Sequence, residues 1–186
     1  MKQRVLFLLL FFGTFLVNAD DTVLKLYRPF GEVTEQAVPV IKNSLTGQCT
    51  GQSQLILRED AWRCEAGGKT FDPCFVKAGT KQTEALCPQS PWVGDSVNIT
   101  VNAPLDNEQH QTLDMSQAYP WGVELANGER CLAMSSNETY DQMPVRYRCT
   151  NKNRLVGHLQ RCKNVWSMLE KTPEGVVTAE LVKAWF

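Results

Sequence analysis

The sequence contains only two histidines, His110 and His158, and it lacks the short motifs by which common catalytic and metal sites are recognised. No Gly-x-Ser-x-Gly segment is present, which excludes the nucleophile elbow of the α/β-hydrolases. No two cysteines are closer than ten residues, so the tight cysteine spacing of structural zinc sites is missing as well. We therefore predict no catalytic residues, no metal ligands and no cofactor.

One pair of residues, His158 and Cys162, has the types that a cysteine nucleophile and its general base require. The sequence predicts a strand at this position. Residues four apart on a strand share a face but lie about 13 Å from each other, which is too far for a hydrogen bond. A cystine or an inert thiol is the favoured interpretation of Cys162, and a cysteine enzyme is the minority one.

The chain also has no excess of positive charge, because 19 Lys and Arg stand against 20 Asp and Glu, a net charge of −1. Loss of Lys2 and Arg4 with a leader would leave 17 basic residues against 20 acidic ones, a net charge near −3. This balance argues against a nucleic-acid partner, which usually requires a basic face. One mild basic cluster is predicted to be a solvated sheet face in preference to an anion-binding patch: Arg146, Arg148, Lys152, Arg154, Arg161 and Lys163.

The amino-terminal segment has the three parts of a secretory signal peptide. Lys2 and Arg4 precede an apolar run over residues 5–17, and small residues stand before a cleavage site between Ala19 and Asp20. The run has about 13 residues, whereas a helix that crosses a bilayer needs about 20. We expect residues 1–19 to be removed and residues 20–186 to form one exported domain, periplasmic or secreted, with no membrane span after cleavage.

Seven cysteines lie beyond the signal, and an oxidising compartment permits their pairing. Seven is odd, so one is left over, and six cysteines admit 15 pairings among which sequence alone cannot choose. Nearest-neighbour pairing would join Cys49 with Cys64, Cys74 with Cys87 and Cys131 with Cys149, leaving Cys162 unpaired.

Short strands dominate the predicted secondary structure. Early strands are expected at 22–28, 37–42, 53–58 and 96–101, and later ones at 144–149, 154–159, 164–170 and 175–185. The later segments are evenly spaced with turn residues between them, and Asn127-Gly128 suits a tight type I′ hairpin turn. The fold class is therefore mainly β, or α+β with little helix, with an antiparallel meander or barrel-like sheet.

Two stretches are less regular. Residues 60–81 contain Gly67-Gly68 and Asp72-Pro73 and are predicted to form a disulfide-tethered loop with at most a turn or two of helix around 59–65. Residues 102–118 are rich in Asn, Gln and Asp and are expected to form an exposed loop or a short connecting helix. This polar loop could join two lobes, 20–102 and 119–186.

The order of cysteine and tryptophan motifs resembles an uncharacterised exported bacterial domain and the extracytoplasmic part of some proteins labelled serine/threonine kinases. The resemblance covers about residues 49–186 and is carried by Asp60-Ala-Trp-Arg-Cys64, Asp72-Pro-Cys-Phe75, Cys87-Pro88, Pro91-Trp92, Pro120-Trp121, Leu125-Ala-Asn-Gly-Glu-Arg-Cys131, Tyr147-x-Cys149, Val165-Trp166 and Ala184-Trp-Phe186. It implies an exported domain with the three disulfide pairs named above and transfers no activity. Cys162 departs from its pattern. We expect the tryptophans beside the bridges to form the structural core: Trp62, Trp92, Trp121 and Trp166.

These observations predict an exported, disulfide-stabilised, non-enzymatic domain that binds a protein or a glycan outside the cytoplasm. Loops at 65–82 and 102–120 are the expected contact surfaces, because binding residues concentrate on loops held by a rigid scaffold. One alternative is an inhibitor of a secreted hydrolase, since Tyr147-Arg-Cys149 is similar to the Tyr-x-Cys motif of small β-barrel lysozyme inhibitors. The other is an uncharacterised secreted enzyme.

Overall fold

The computed structural model describes residues 20–31, 35–77, 79 and 82–186, and every regular element in these residues is a β-strand. The strands are β1 (Val23–Lys25), β2 (Val40–Gln52), β3 (Ala61–Ala66), β4 (Lys69–Phe75), β5 (Gln82–Ser90), β6 (Val93–Leu105), β7 (Gly122–Leu125), β8 (Arg130–Ala133), β9 (Thr139–Tyr140), β10 (Met143–Cys149), β11 (Arg154–Gln160), β12 (Trp166–Thr172) and β13 (Gly175–Trp185). The mainly β prediction is confirmed. Over the described ranges, no helix has the length and apolar character needed to cross a bilayer. The predicted signal, residues 1–19, and its cleavage site after Ala19 lie outside these ranges.

Strands β2 to β6 form the first barrel. Each strand pairs antiparallel with the next along the chain, and β6 returns to pair with β2. The closing pair is parallel, as it must be when an odd number of strands runs up and down around a barrel. Residues 53–58, predicted as a strand, form the connection from β2 to β3.

The predicted loop and helix within residues 59–81 are wrong for most of this stretch, because β3 and β4 form a hairpin there. Gly67 and Gly68 connect the strands and have φ angles of 56° and 73°. Two successive positive φ angles are what a two-residue type I′ turn requires. Gly67-Gly68 and Asp72-Pro73 favoured an irregular loop in the sequence, but the glycine pair is a hairpin signal.

The second barrel contains β7, β8, β10, β11, β12 and β13, and pairing between β7 and β13 closes it. The predicted antiparallel meander is confirmed. At Asn127-Gly128 the hairpin is present, but the predicted turn type is wrong: of this pair only Gly128 has a positive φ, of 85°. The Gly128 N–H donates to the Leu125 carbonyl, and the Leu125 N–H to the Glu129 carbonyl, which makes a three-residue loop with the glycine at its bulge.

Three disulfides join Cys49 to Cys64, Cys74 to Cys87 and Cys131 to Cys149. These are the pairs that the resemblance implied. Cys49 and Cys131 lie directly opposite their partners in the strand register, and the Cys74–Cys87 bridge lies beside the Phe75–Leu86 pair. Cys162 is a free, exposed cysteine.

A third cluster of buried residues, here called the seam, lies between the barrels. It contains Tyr27, Ile56, Ala61, Phe75, Trp121, Ala184 and Phe186. The amino-terminal strand β1 pairs in parallel with the end of β13, although residues 20–102 were predicted as one lobe. Both ends of the described chain therefore contribute to the packing around the seam.

Arg58 is a buried charged side chain, only 5% exposed, and its hydrogen bonds hold the seam together. Its guanidinium forms two bonds to the Asp60 carboxylate, at 2.6 and 2.7 Å. Its Nη1 also donates to the carbonyl oxygens of Tyr27, at 2.7 Å, and Phe186, at 3.1 Å. The arginine thus links the β2–β3 connection to both ends of the chain.

The predicted tryptophan core is only partly correct. Trp62 and Trp121 are buried, whereas Trp92 and Trp166 are half-buried. Trp92 reaches the second barrel, where a Cβ on Gly122 would approach its ring to 3.0 Å, so a larger residue there would require the ring to shift by a few tenths of an ångström. Trp185, fully buried, was not predicted to be in the core.

Candidate functional site

The residues considered for cysteine chemistry lie at the end of β11. The His158 ring nitrogen Nδ1 lies 3.5 Å from the Tyr119 hydroxyl, and Cys162 follows in an exposed bend. In the described chain, the hydrogen-bond partner of the His158 ring is therefore Tyr119 and not Cys162. A nucleophile and base in contact are not formed here.

Sulfur atoms converge inside the first barrel. The Sγ atoms of Cys64, Cys74 and Cys87 lie within 4.8 Å of one another. All three belong to disulfides, however. A disulfide sulfur is not the thiolate that binds a metal, so this cluster is a covalent core and not a metal centre in the oxidised chain.

Near the seam, the buried Ser53 pairs with the half-buried carboxylate of Asp72. The Ser53 hydroxyl donates to Asp72 Oδ1 at 2.5 Å and accepts the N–H groups of Leu55 and Ile56 at 3.1 Å. Burial raises the pKa of Asp72, against the opposing effect of its hydrogen bond from Ser53. With its donor and acceptor capacity occupied, the hydroxyl orders the β2–β3 connection and is not a free nucleophile.

The polar loop at 106–118, one of the predicted contact surfaces, is fastened to both barrels. Gln52 and Gln111 exchange two hydrogen bonds, at 2.7 and 3.2 Å. His110 stacks on Trp62 with ring centroids 4.3 Å apart. On the other side, Arg161 donates to the carbonyl oxygens of Ser116, Gln117 and Ala118. The loop connects the barrels and does not project as a free arm.

The motif behind the inhibitor alternative is internal. Tyr147 and Cys149 are buried, and the Tyr147 hydroxyl donates to the Pro120 carbonyl at 2.6 Å. Burial raises the pKa of Tyr147 far above its usual value. The Tyr147 and Cys149 side chains therefore support the second barrel, and Arg148 between them is the exposed member of the motif.

A cavity of about 440 Å³ lies where two turns of the second barrel meet strand β9. We call it the turn pocket and define it by Glu138, Tyr140, Lys152, Arg154, Lys171 and Pro173. The β10–β11 and β12–β13 turns lie at the same end of the barrel, because alternate connections of an up-and-down sheet share an end. The fold thereby brings together residues that are up to 35 positions apart in the sequence.

Positive charge dominates the turn pocket. Lys152, Arg154 and Lys171 contribute cations, and Glu138 contributes a single carboxylate. The Glu138 Oε1 atom lies 3.8 Å from Arg154 Nε, which is beyond hydrogen-bond distance. From the sequence, Lys152 and Arg154 are predicted only as members of a solvated basic face. Lys171 is not part of that prediction, and it lies on the strand next to that of Arg154.

Other hollows in the described chain have different chemistry. A cavity of about 480 Å³ on the first barrel is lined by exposed apolar side chains that include Phe30, Val38 and Ile41. A larger and more open depression of about 580 Å³ lies beside the β3–β4 turn, and its lining pairs one carboxylate, Glu65, with one cation, Lys69. Of these three, the turn pocket has a clear excess of positive charge, whereas a further cavity beside the β7–β8 turn is lined by Glu170 and Glu180 without a cation.

Comparisons of this chain with protein-family models, with curated proteins and with solved structures found no match.

Proposed function

We propose that this chain is an exported, disulfide-stabilised binding domain without catalytic activity, related to the exported cysteine/tryptophan domains that its motifs resemble, and that its ligand is a glycan. The observation that carries the proposal is the turn pocket, a concave site on a rigid barrel. Small-ligand sites are typically preformed cavities with a few converging polar groups. Three disulfides of the kind typical of extracellular proteins support the location.

A glycan fits this cavity better than a protein partner does. Stable protein interfaces bury a broad surface with an apolar or aromatic centre. The turn pocket is instead small and is rimmed by amide and hydroxyl side chains, which can both donate to and accept from sugar hydroxyl groups. These rim residues are Thr139, Asn151, Asn153 and Thr172. The Thr172 hydroxyl already bonds to the Gly175 carbonyl and the Glu174 N–H, so the groups free for a sugar belong to the other three.

Sedimentation with insoluble polysaccharides tests the proposal. The oxidised chain, residues 20–186, is mixed with cellulose, chitin and a cross-linked pectate gel, and bound protein and released soluble sugar are both measured. We expect retention on at least one polymer without release of sugar, whereas the reduced and unfolded chain is not retained. Retention on none of the polymers, or steady release of soluble sugar, contradicts a non-catalytic glycan-binding domain.

A further inference from the structure

We infer that the turn pocket binds a sugar that carries an oxyanion, either a carboxylate or a phosphate ester. This inference rests on the proposed glycan-binding function and names the class of its ligand. Lys152, Arg154 and Lys171 would surround the oxyanion, and the uncharged side chains of the rim would contact the sugar hydroxyl groups.

The local charge is opposite to that of the chain. The whole sequence has a net charge of −1, yet three cations face one carboxylate in this pocket. A cavity with walls of low dielectric concentrates the field of such a group and attracts anions of matching size. A single pocket of this kind suits one charged sugar, while a nucleic acid requires a basic stripe.

Arg154 retains unused hydrogen-bond donors. Its Nη1 donates to the Lys152 carbonyl at 2.7 Å. Its Nε is buried without a hydrogen-bond partner among the described residues, so the donors left for a ligand are those of the terminal nitrogens. The carboxylate nearest to Nε, on Glu138, is at 3.8 Å. Guanidinium groups bind carboxylate and phosphate through paired donors, so the remaining donors of Arg154 are suited to a ligand oxyanion.

The Lys171 ammonium group is held in place before any ligand arrives, and Lys152 projects from an ordered turn. Lys171 Nζ donates to the Thr172 carbonyl at 2.6 Å and lies 5.6 Å from the centroid of the Tyr140 ring. The Lys152 N–H donates to the Cys149 carbonyl at 3.0 Å, which fixes the β10–β11 turn. Groups that are already ordered lose little conformational entropy on binding.

Apolar surface completes the site. Tyr140 and Pro173 line the same cavity, and an aromatic or prolyl ring offers a flat face against which the C–H groups of a sugar ring can pack. Nearby, Asn153 donates from Nδ2 to the buried Glu170 at 2.8 Å. This bond directs the Asn153 carbonyl oxygen away from Glu170 and leaves it available as an acceptor.

Isothermal titration calorimetry at low ionic strength tests the inference with three probes: trigalacturonic acid, glucose 6-phosphate and the neutral trisaccharide maltotriose. We expect at least one acidic sugar to bind and maltotriose not to bind at about 10 mM, where a millimolar ligand would be detected. Which acidic sugar binds identifies the source of the oxyanion. Binding should weaken as salt is added, since screening reduces the attraction between charges.

Substitutions locate the site. Arg154→Gln should weaken binding of the acidic sugar about tenfold or more, as loss of a charge-assisted hydrogen bond does. Lys152→Gln, at an exposed side chain, should weaken it by a smaller factor. Lys163→Gln removes the same charge from an exposed position in the β11–β12 connection, at the opposite end of the barrel, and should leave binding unchanged.

A cooperative thermal unfolding transition shows that a variant is folded. If Arg154→Gln does not fold, the Lys152→Gln variant alone tests whether the pocket binds the acidic sugar. Equal binding of maltotriose and an acidic sugar, or equal affinities of the Lys152 and Lys163 variants, overturns the inference. Failure of both acidic sugars to bind also overturns it. If the insoluble polysaccharides still retain the chain in that case, the glycan-binding function stands and only the ligand class is wrong.

Discussion

The two barrels are stabilised by different kinds of interior. Of the nine buried residues in the cluster of the first barrel, three are cysteines and two are alanines, and Ile99 is the only aliphatic side chain larger than valine. The cluster of the second barrel has ten buried residues, among them four leucines and a methionine. The first barrel therefore depends more on covalent bonds, and the second more on burial of aliphatic surface.

Small side chains and disulfides go together for a geometric reason. Two bridges lie side by side inside the first barrel, with three of their sulfur atoms within 4.8 Å of one another. Protein interiors are close-packed, so space filled by cystine cannot also hold leucine. A five-stranded barrel with so little aliphatic volume gains less free energy from burial, at about 25 cal/mol per Å², than one lined with leucine.

The largest expected loss of stability tests whether the first barrel depends on its disulfides. Replacing Cys49, Cys64, Cys74 and Cys87 with alanine opens loops of 15 and 13 residues, and the chain-entropy model assigns about 3 kcal/mol to each loop of this size. We expect a loss of about 6 kcal/mol, enough to unfold the first barrel if the domain has ordinary stability. Urea denaturation followed by tryptophan fluorescence and circular dichroism measures the loss.

The matched control removes the single bridge of the second barrel. Cys131→Ala with Cys149→Ala opens a loop of 18 residues and should cost about 3 kcal/mol, with the leucine-rich core still folded. If this pair costs as much as the four replacements in the first barrel, the two interiors do not differ in the way that their composition indicates.

The difference between the two barrels also explains which strands could be predicted from the sequence. Strands of the second barrel were found because alternating residues and turn signals recur at even spacing between 121 and 185. In the first barrel, Asp72-Pro73 argued for a loop, but these residues lie at a register shift in the pairing of β3 with β4. Proline is tolerated at such irregularities of a sheet. Proline does disfavour a regular strand locally, but the long-range pairing of β3 with β4 made this segment a hairpin.

The degree of burial of each tryptophan could not be predicted from a local pattern, because it depends on long-range contacts. The same is true of the residues that assemble the turn pocket. Trp92 packs across to Gly122 on the other barrel, and Lys171 reaches Lys152 and Arg154 only because two turns share one end of the sheet. The disulfide pairs came from nearest-neighbour pairing and from the resemblance, and they are correct because adjacent strands of a meander bring neighbouring cysteines together.

Substitution of Arg58 should cause a smaller loss of stability. It tests whether this residue makes the two barrels unfold as one unit. Arg58→Met leaves Asp60 without its partner and leaves the Tyr27 and Phe186 carbonyls without a charged donor. Removal of one partner from a buried ion pair is strongly destabilising, and we expect a loss of about 3 kcal/mol because Asp60 keeps some access to solvent. Urea denaturation should then show separate transitions for the two barrels.

Arg63→Met is the control for this change. The Arg63 guanidinium is more exposed and lies 4.0 Å from Glu65, and exposed ion pairs contribute less than about 1 kcal/mol. Equal stability of the Arg58 and Arg63 variants would mean that apolar packing alone holds the seam together.

The smallest effect compares two tyrosine hydroxyl groups, one in the seam and one in the second barrel. The Tyr27 hydroxyl is buried without a hydrogen-bond partner among the described residues, and burial raises the pKa of Tyr27 to about 12. The Tyr147 hydroxyl donates to the Pro120 carbonyl. A buried polar group without a partner is costly, whereas a buried hydrogen bond contributes about 1 kcal/mol.

Tyr27→Phe should therefore leave the free energy of unfolding unchanged or raise it by about 1 kcal/mol, while Tyr147→Phe should lower it by about 1 to 2 kcal/mol. Both values come from urea denaturation under identical conditions. A loss at Tyr27 as large as that at Tyr147 would show that the seam satisfies its polar groups as well as the second barrel does.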